Sequence, residues 1–198
     1  MSADILIVDD DPALRDALDW LFTSRGVAVA SWASAEEFLA DYHPGLTGCL
    51  IVDVRMTGMS GVEMFDELRR RGADLPVVFL TGHATVSIAV EALKTGARDF
   101  FEKPFNDNHL VDRVLAILSE DRARRHRDSE AAAFRQKLDS LSAREREVMA
   151  LMIQGLMNKV IADRLGIAMR TVEVHRARVL EKLGVKSAVE LAGMLAKH

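Results

Sequence analysis

Cysteine is almost absent: Cys49 stands alone in 198 residues, which excludes an internal disulfide and argues against a thiolate zinc site. A small, buried strand position is the reading left for it. Long uncharged apolar runs are also missing. The run Ile5 to Val8 stops at Asp9, Asp10 and Asp11, and Met1 to Asp4 carries no basic stretch, so the start reads as neither a signal peptide nor a membrane span. A cytoplasmic protein with no membrane partner is expected. Glycine and proline are both absent between Pro104 and Gly155. A stretch that lacks them and is rich in Ala, Leu, Arg, Glu and Lys predicts a long helix.

With 49% hydrophobic and 28% charged residues, the chain can build one large domain or a medium and a small one. Charge separates the two halves. Residues 1–118 hold 19 acidic and 10 basic side chains, a net of −9, whereas residues 119–198 hold 11 and 16, a net of +5. An acidic module joined to one able to approach a polyanion fits this asymmetry, and so does an ordinary solvated basic face.

Short runs apolar on both faces recur at Ile5–Val8, Val27–Ala30, Cys49–Val52, Val77–Leu80 and Phe100–Phe101. Each is followed by a segment of helical period, which predicts five βα units over 1–118 with a parallel sheet covered on both sides. Pro12 suits the first turn of the first helix, and Gly26, Gly72 and Gly96 are placed to end helices. The long helix is expected to start near Asn106 or Asp107, with Leu110, Val114 and Leu118 facing the sheet. Beyond Ser119 the stripe fades, and 119–140 reads as a helical or tethering linker.

A second unit, 141–198, opens with Ser142-Ala143-Arg144-Glu145, a capping box. Helices are expected at Ala143–Gln154, at Lys159–Leu165 with Asn158 as cap and Gly166 as stop, at Arg170–Leu183 with Gly184 as stop, and at Ser187–Ala196. A short helix, the turn Gly166-Ile167-Ala168 and a longer basic helix make a helix-turn-helix arrangement, whose second helix enters the major groove of double-stranded DNA.

In parallel sheets, functional groups gather where strands end at their carboxyl side. Asp9, Asp10 and Asp11 follow the first strand, Asp53 closes the third, Thr81 closes the fourth and Lys103 follows the fifth. Any one of these aspartates is more often a helix cap. Converging carboxylates repel unless a divalent cation joins them, and a hard oxygen site suits Mg²⁺. One carboxylate then serves as nucleophile toward phosphorus, while Thr81 and Lys103 supply hydroxyl and ammonium donors to phosphoryl oxygens.

This pattern, completed by Lys103-Pro104, closely resembles the receiver family of two-component response regulators. The resemblance implies a flavodoxin-like (βα)5 fold with strand order 2-1-3-4-5, and Asp53 as the phosphoacceptor. It also implies Mg²⁺ on Asp9, Asp10, Asp53 and the backbone carbonyl of Arg55, and Lys103 against the phosphoryl group. Thr81 and Phe100 become the switch pair, Lys103-Pro104 a cis bond, and Arg55 and His83 positions that influence phosphoryl lifetime. A sensor histidine kinase is the implied donor. Residues 142–198 resemble the four-helix, LuxR-type domain of the NarL/FixJ branch, through Leu141 to Val148, Thr171 to Arg176, Lys182-Leu183-Gly184 and Lys186-Ser187. Val172, Val179 and Leu183 should pack inward. Arg170, Glu173, Val174 and Ala177 are then offered to bases, and Lys159, Thr171, Arg176, Arg178 and Lys182 to phosphates. Ala168-Met169 departs from that branch, which commonly has Ser or Thr where Ala168 stands, so the side-chain cap is missing.

The resulting expectation is a transcription factor that dimerises on phosphorylation through its fourth helix, fifth strand and fifth helix, binds promoter DNA and meets RNA polymerase. Beyond its own phosphoryl transfer and autodephosphorylation it is not an enzyme. Two rival readings remain: an unphosphorylated, interaction-only receiver with constitutive DNA binding, and a Mg²⁺-dependent phosphohydrolase using an aspartyl-phosphate. The second usually needs a carboxylate two residues past its nucleophile, where this chain has Arg55.

Overall fold

The computed structural model describes residues 3–82 and 96–196. His83 and most of the expected fourth helix lie outside them. Two compact units divide at Ala123 and Arg124, inside the segment read as a linker.

The first unit is a sheet of five strands in the order β2-β1-β3-β4-β5. The strands are β1 (Ile5–Val8), β2 (Val29–Trp32), β3 (Cys49–Asp53), β4 (Val77–Thr81) and β5 (Asp99–Glu102). All pairings are parallel, with Ile5 beside both Val29 and Cys49, and Thr81 beside Glu102. Helices α1 (Pro12–Thr23), α2 (Ala35–Asp41), α3 (Gly61–Arg70) and α4 (Asp107–Asp139) accompany it. Because successive strand residues point to opposite faces, the buried residues form two clusters. Leu6, Val8, Leu50, Val52 and Phe79 pack with Phe38, Phe65 and Leu68 of α2 and α3. Ile5, Ile7, Ile51, Val78 and Leu80 pack with Leu18, Phe22, Leu110, Val114 and Leu118 of α1 and α4.

Strand β2 starts two residues later than its apolar run suggests. Val27 donates its N–H back to the Phe22 carbonyl at 3.2 Å, closing the end of α1, so pairing with β1 begins only at Val29. Asn106 caps α4 through the His109 N–H at 3.0 Å. That helix continues to Asp139, so 119–139 is helical.

The second unit contains the end of α4 with α5 (Ala143–Met152), α6 (Asn158–Leu165), α7 (Met169–Leu183) and α8 (Ala188–Leu195). Phe134 is buried with Leu141, Met152, Val179, Leu183 and Leu191, and Leu138 packs against them. Two turns of the segment read as linker therefore belong to this core. The capping box on α5 is reciprocal: Ser142 Oγ accepts from Glu145 N, and Ser142 N donates to Glu145 Oε2. Asn158 does not cap α6. It is the first helical residue, and Met157 takes the cap position with no side-chain bond to offer. At the end of α6, Gly166 has φ 62°, a left-handed conformation that glycine reaches without steric cost.

Candidate functional site

At the carboxyl ends of the strands Asp9, Asp53 and Thr81 are 1%, 5% and 1% exposed, so polar groups sit inside an otherwise apolar sheet. Lys103 reaches in from the end of β5. Its Nζ donates to Asp53 Oδ1 at 2.6 Å and to Asp9 Oδ2 at 3.0 Å. One ammonium thus joins residues 94 and 50 positions away and neutralises part of a buried pair of like charges. Burial pushes the Asp9 carboxyl above its ordinary pKa, a rise that the Asp11 N–H and Lys103 reduce but do not cancel. Burial works against the charge of Lys103 as well, yet its bonds to Asp53 and Asp9 outweigh that penalty and hold its pKa above the usual value.

The surrounding backbone fixes these groups. Asp9 Oδ1 accepts from Asp11 N at 2.9 Å, and Asp53 Oδ2 accepts from Arg55 N at 2.8 Å. Asp11 caps α1 through the N–H of Ala13, while Lys103 N donates to the Thr81 carbonyl at 2.7 Å. The Lys103–Pro104 bond is cis. Gly61, first residue of α3, lies so close to the Asp53 carbonyl that an added Cβ would stand 2.1 Å from its oxygen. Phe100 is half-buried on β5 beside Phe79.

Asp10 is placed differently. It is exposed, and its Oδ2 accepts two hydrogen bonds from Thr57, one from the N–H and one from the hydroxyl, both at 2.8 Å. These bonds, the backbone one foremost, hold its carboxyl below the usual range. Sequence reasoning missed Thr57, since a bond between loops 47 residues apart leaves no periodic signal. The residues expected to take Mg²⁺ offer oxygen donors of the type this ion prefers, and the excess charge at Asp9 and Asp53 suits a cation. As they stand, no group of three His, Cys, Asp or Glu side chains among the described residues is arranged to hold a metal. Lys103 lies across Asp9 and Asp53, and Asp10 is turned to Thr57.

In the second unit, Val172, Val179 and Leu183 are buried to 1% exposure or less, which sets the orientation of α7. Lys159, Arg170, Thr171, Glu173, Val174, Ala177 and Arg178 are exposed, and Arg176 is half-buried. Lys182 has partners of its own. Its Nζ donates to the buried Glu145 at 2.6 Å and to the Ser140 carbonyl at 3.2 Å, tying α7 to the start of α5 rather than standing clear for a phosphate. No helix among the described residues is long and apolar enough to cross a membrane.

Comparison with known proteins extends over both units. The family model for the response regulator receiver domain matches residues 5–115, and that for bacterial regulatory proteins of the luxR family matches 139–195. The C4-dicarboxylate transport transcriptional regulatory protein DctR of Rhodobacter capsulatus is 56% identical over 98% of this chain and 100% of its own length. FixJ of Azorhizobium caulinodans is 42% identical over 98% and 92%. The solved structure of the response regulator StyR superposes with a TM-score of 0.91 at 39% identity, covering 98% of each chain. Two domain families in this order, and full-length likeness to FixJ and DctR, make the chain a response regulator of the NarL/FixJ type, with a receiver domain and a LuxR-type helix-turn-helix domain that binds DNA to regulate transcription.

Proposed function

We propose that Asp53 is the phosphoacceptor and that its phosphorylation by a sensor histidine kinase controls promoter binding by α6 and α7. The observation that carries this reading is the bridge from Lys103 to Asp53 and Asp9. It sets an ammonium donor against a buried carboxylate at a rim where Thr81 also ends its strand. In the transfer, an Asp53 carboxylate oxygen bonds to phosphorus as the phosphorus–nitrogen bond of the donor phosphohistidine breaks, and the freed imidazole nitrogen takes a proton from solvent. Lys103 moves from the bare carboxylate to a phosphoryl oxygen, and the Thr81 hydroxyl donates to another. Asp9, Asp10, Asp53 and the Arg55 carbonyl would hold Mg²⁺, which would supply charge neutralisation for the transfer. Later attack by water returns phosphate and the free carboxylate, so the domain is a self-limiting switch and not a turnover enzyme.

Receiver residues 1–118, a helical linker 119–140 whose last turns pack into the second unit's core, and DNA-binding residues 141–198 divide these tasks in a cytoplasmic regulator. Thr81 and Phe100 pass the change to the surface on which two phosphorylated receivers pair, and pairing raises the effective concentration of the DNA-binding domains. On the promoter, Lys159, Thr171, Arg176 and Arg178 meet phosphates, while Arg170, Glu173, Val174 and Ala177 face base edges, and the bound regulator meets RNA polymerase. Lys182 contributes to this surface by holding α7 in place through Glu145.

The test is labelling with acetyl phosphate. Wild type should gain one phosphoryl group per chain by mass spectrometry and Asp53→Asn none; undiminished labelling of the variant would refute the assignment. For the DNA face, Arg170→Ala and Lys159→Ala should each weaken promoter binding in gel shifts, the lysine variant lowering the salt slope by about one. Equal affinity at several salt concentrations would count against this docking.

A further inference from the structure

The loop after Asp53 is fixed at three places. Gly61 seats its far end against the Asp53 carbonyl, where no side chain fits. Glu36 at the start of α2 accepts from Met59 N at 2.9 Å. Ahead of both anchors, Thr57 gives both its N–H and its hydroxyl to Asp10 Oδ2. Held at Met59 and Gly61, two and four residues beyond Thr57, the loop cannot follow a carboxylate that turns away, so Asp10 must give up both bonds to do so. That carboxylate, unlike those of Asp9 and Asp53, makes its hydrogen bonds away from Lys103.

We propose that Thr57 is a positioning residue that latches Asp10 in an outward orientation and thereby weakens divalent-cation binding at the receiver rim. The inference rests on the reading of Asp9, Asp10 and Asp53 as the Mg²⁺ ligands. Its chemistry is a competition: the hydroxyl and amide hydrogens of Thr57 both take lone pairs of Asp10 Oδ2, leaving a cation only the other oxygen unless they are displaced. Thr57 thus sets how much Mg²⁺ is needed before the acidic rim is complete, without contacting the transferred phosphoryl group.

Titration of full-length protein with MgCl₂, followed by amide shifts in nitrogen-15 correlation spectra, tests this directly. Thr57→Val keeps the shape of the side chain and the backbone bond but removes the hydroxyl, and should bind Mg²⁺ about five-fold more tightly. Thr57→Ser restores the donor and should return the wild-type affinity, and Asp10→Asn should bind more weakly. Equal or weaker Mg²⁺ binding by Thr57→Val, with a native-like spectrum and with Asp10→Asn still impaired, would overturn the latch while leaving the metal reading intact. If wild type shows no Mg²⁺-dependent shifts around Asp9, Asp10 and Asp53, the metal reading itself fails and the latch falls with it.

Discussion

The acidic rim and the recognition helix solve opposite problems. At the rim, groups from residues 9, 53, 81 and 103 are brought together by parallel pairing, and Asp9, Asp53 and Thr81 are each no more than 5% exposed. On α7 the residues proposed to meet DNA come from one stretch, 170–178, and all but the half-buried Arg176 lie in solvent, with Val172 and Val179 in the core behind them. A buried polar site has to be built by the fold and satisfied by internal hydrogen bonds, because an unpaired group there costs much more than at the surface. An exposed recognition face needs only a correctly turned helix. Substitutions at the rim should therefore cost stability and chemistry together, whereas those on α7 should separate the two.

The sharpest way to break that contrast is a pair of glycine substitutions. Gly61→Ala drives a methyl group into the Asp53 carbonyl and Val52 Cγ1, at 2.1 and 2.6 Å, so α3 has to move off β3. A loss of about 3 kcal/mol is expected, with acetyl-phosphate labelling falling alongside the urea midpoint. Gly193→Ala in α8 meets no atom within 4 Å and replaces a poor helix former, so it should stabilise by up to about 1 kcal/mol. If both variants unfold at the wild-type midpoint, the close packing claimed behind Asp53 is wrong.

Lys182 is where the second unit most resembles the first, since its ammonium meets a carboxylate that is 3% exposed. Lys182→Met should cost about 1–2 kcal/mol at neutral pH, toward the lower end because the lysine itself is partly in solvent. The Glu145 carboxyl is held below the usual range, first by Lys182 and then by the Ser142 N–H. A group whose pKa is lowered by folding contributes fully above its unfolded value and loses that contribution as the pH falls through the lower folded one. The gap between variant and wild type should therefore be widest near pH 7 and close below about pH 4. DNA binding sharpens the same point: Lys182→Met should leave the salt slope nearly unchanged while Lys159→Ala lowers it. A slope reduced equally by both would return Lys182 to the phosphate-contacting set.

Much of the rim was legible in the sequence because four of the five strands end in a residue type that is out of place beside an apolar run: Asp9, Asp53, Thr81 and Lys103 stand at or just past the point where such a run stops. The inward face of α7 was legible by helical period. What escaped notice depends on partners distant in sequence. Thr57 is an ordinary loop threonine until Asp10 is beside it. Phe134 and Leu138 are two apolar residues four apart at the end of a highly charged stretch, too few to register as a stripe until Leu141 and Leu191 close over them. Val27 looks like strand because its side chain is apolar, although its N–H is committed to the end of α1. Lys182 reads as one more basic residue on a basic helix, and only the Ser142 capping box, which places Glu145 across from it, reveals its partner.

The smallest effect concerns the start of that helix. Ala168 has φ −65° and ψ 145°, the extended conformation of a helix cap, but its methyl group cannot accept a hydrogen bond from the first turn. Ala168→Ser supplies an oxygen at a backbone geometry already suited to it and should stabilise the second unit by about 0.5–1 kcal/mol. The rim should be indifferent, with labelling at Asp53 unchanged. Promoter affinity then shows which property of α7 matters more. A cap that only firms the helix leaves affinity equal or slightly higher, whereas one that occupies amide hydrogens needed by a DNA phosphate lowers it despite the gain in stability. A stabilised variant with weaker binding would mean that the missing cap serves recognition, and that even the exposed face is not independent of how its backbone groups are satisfied.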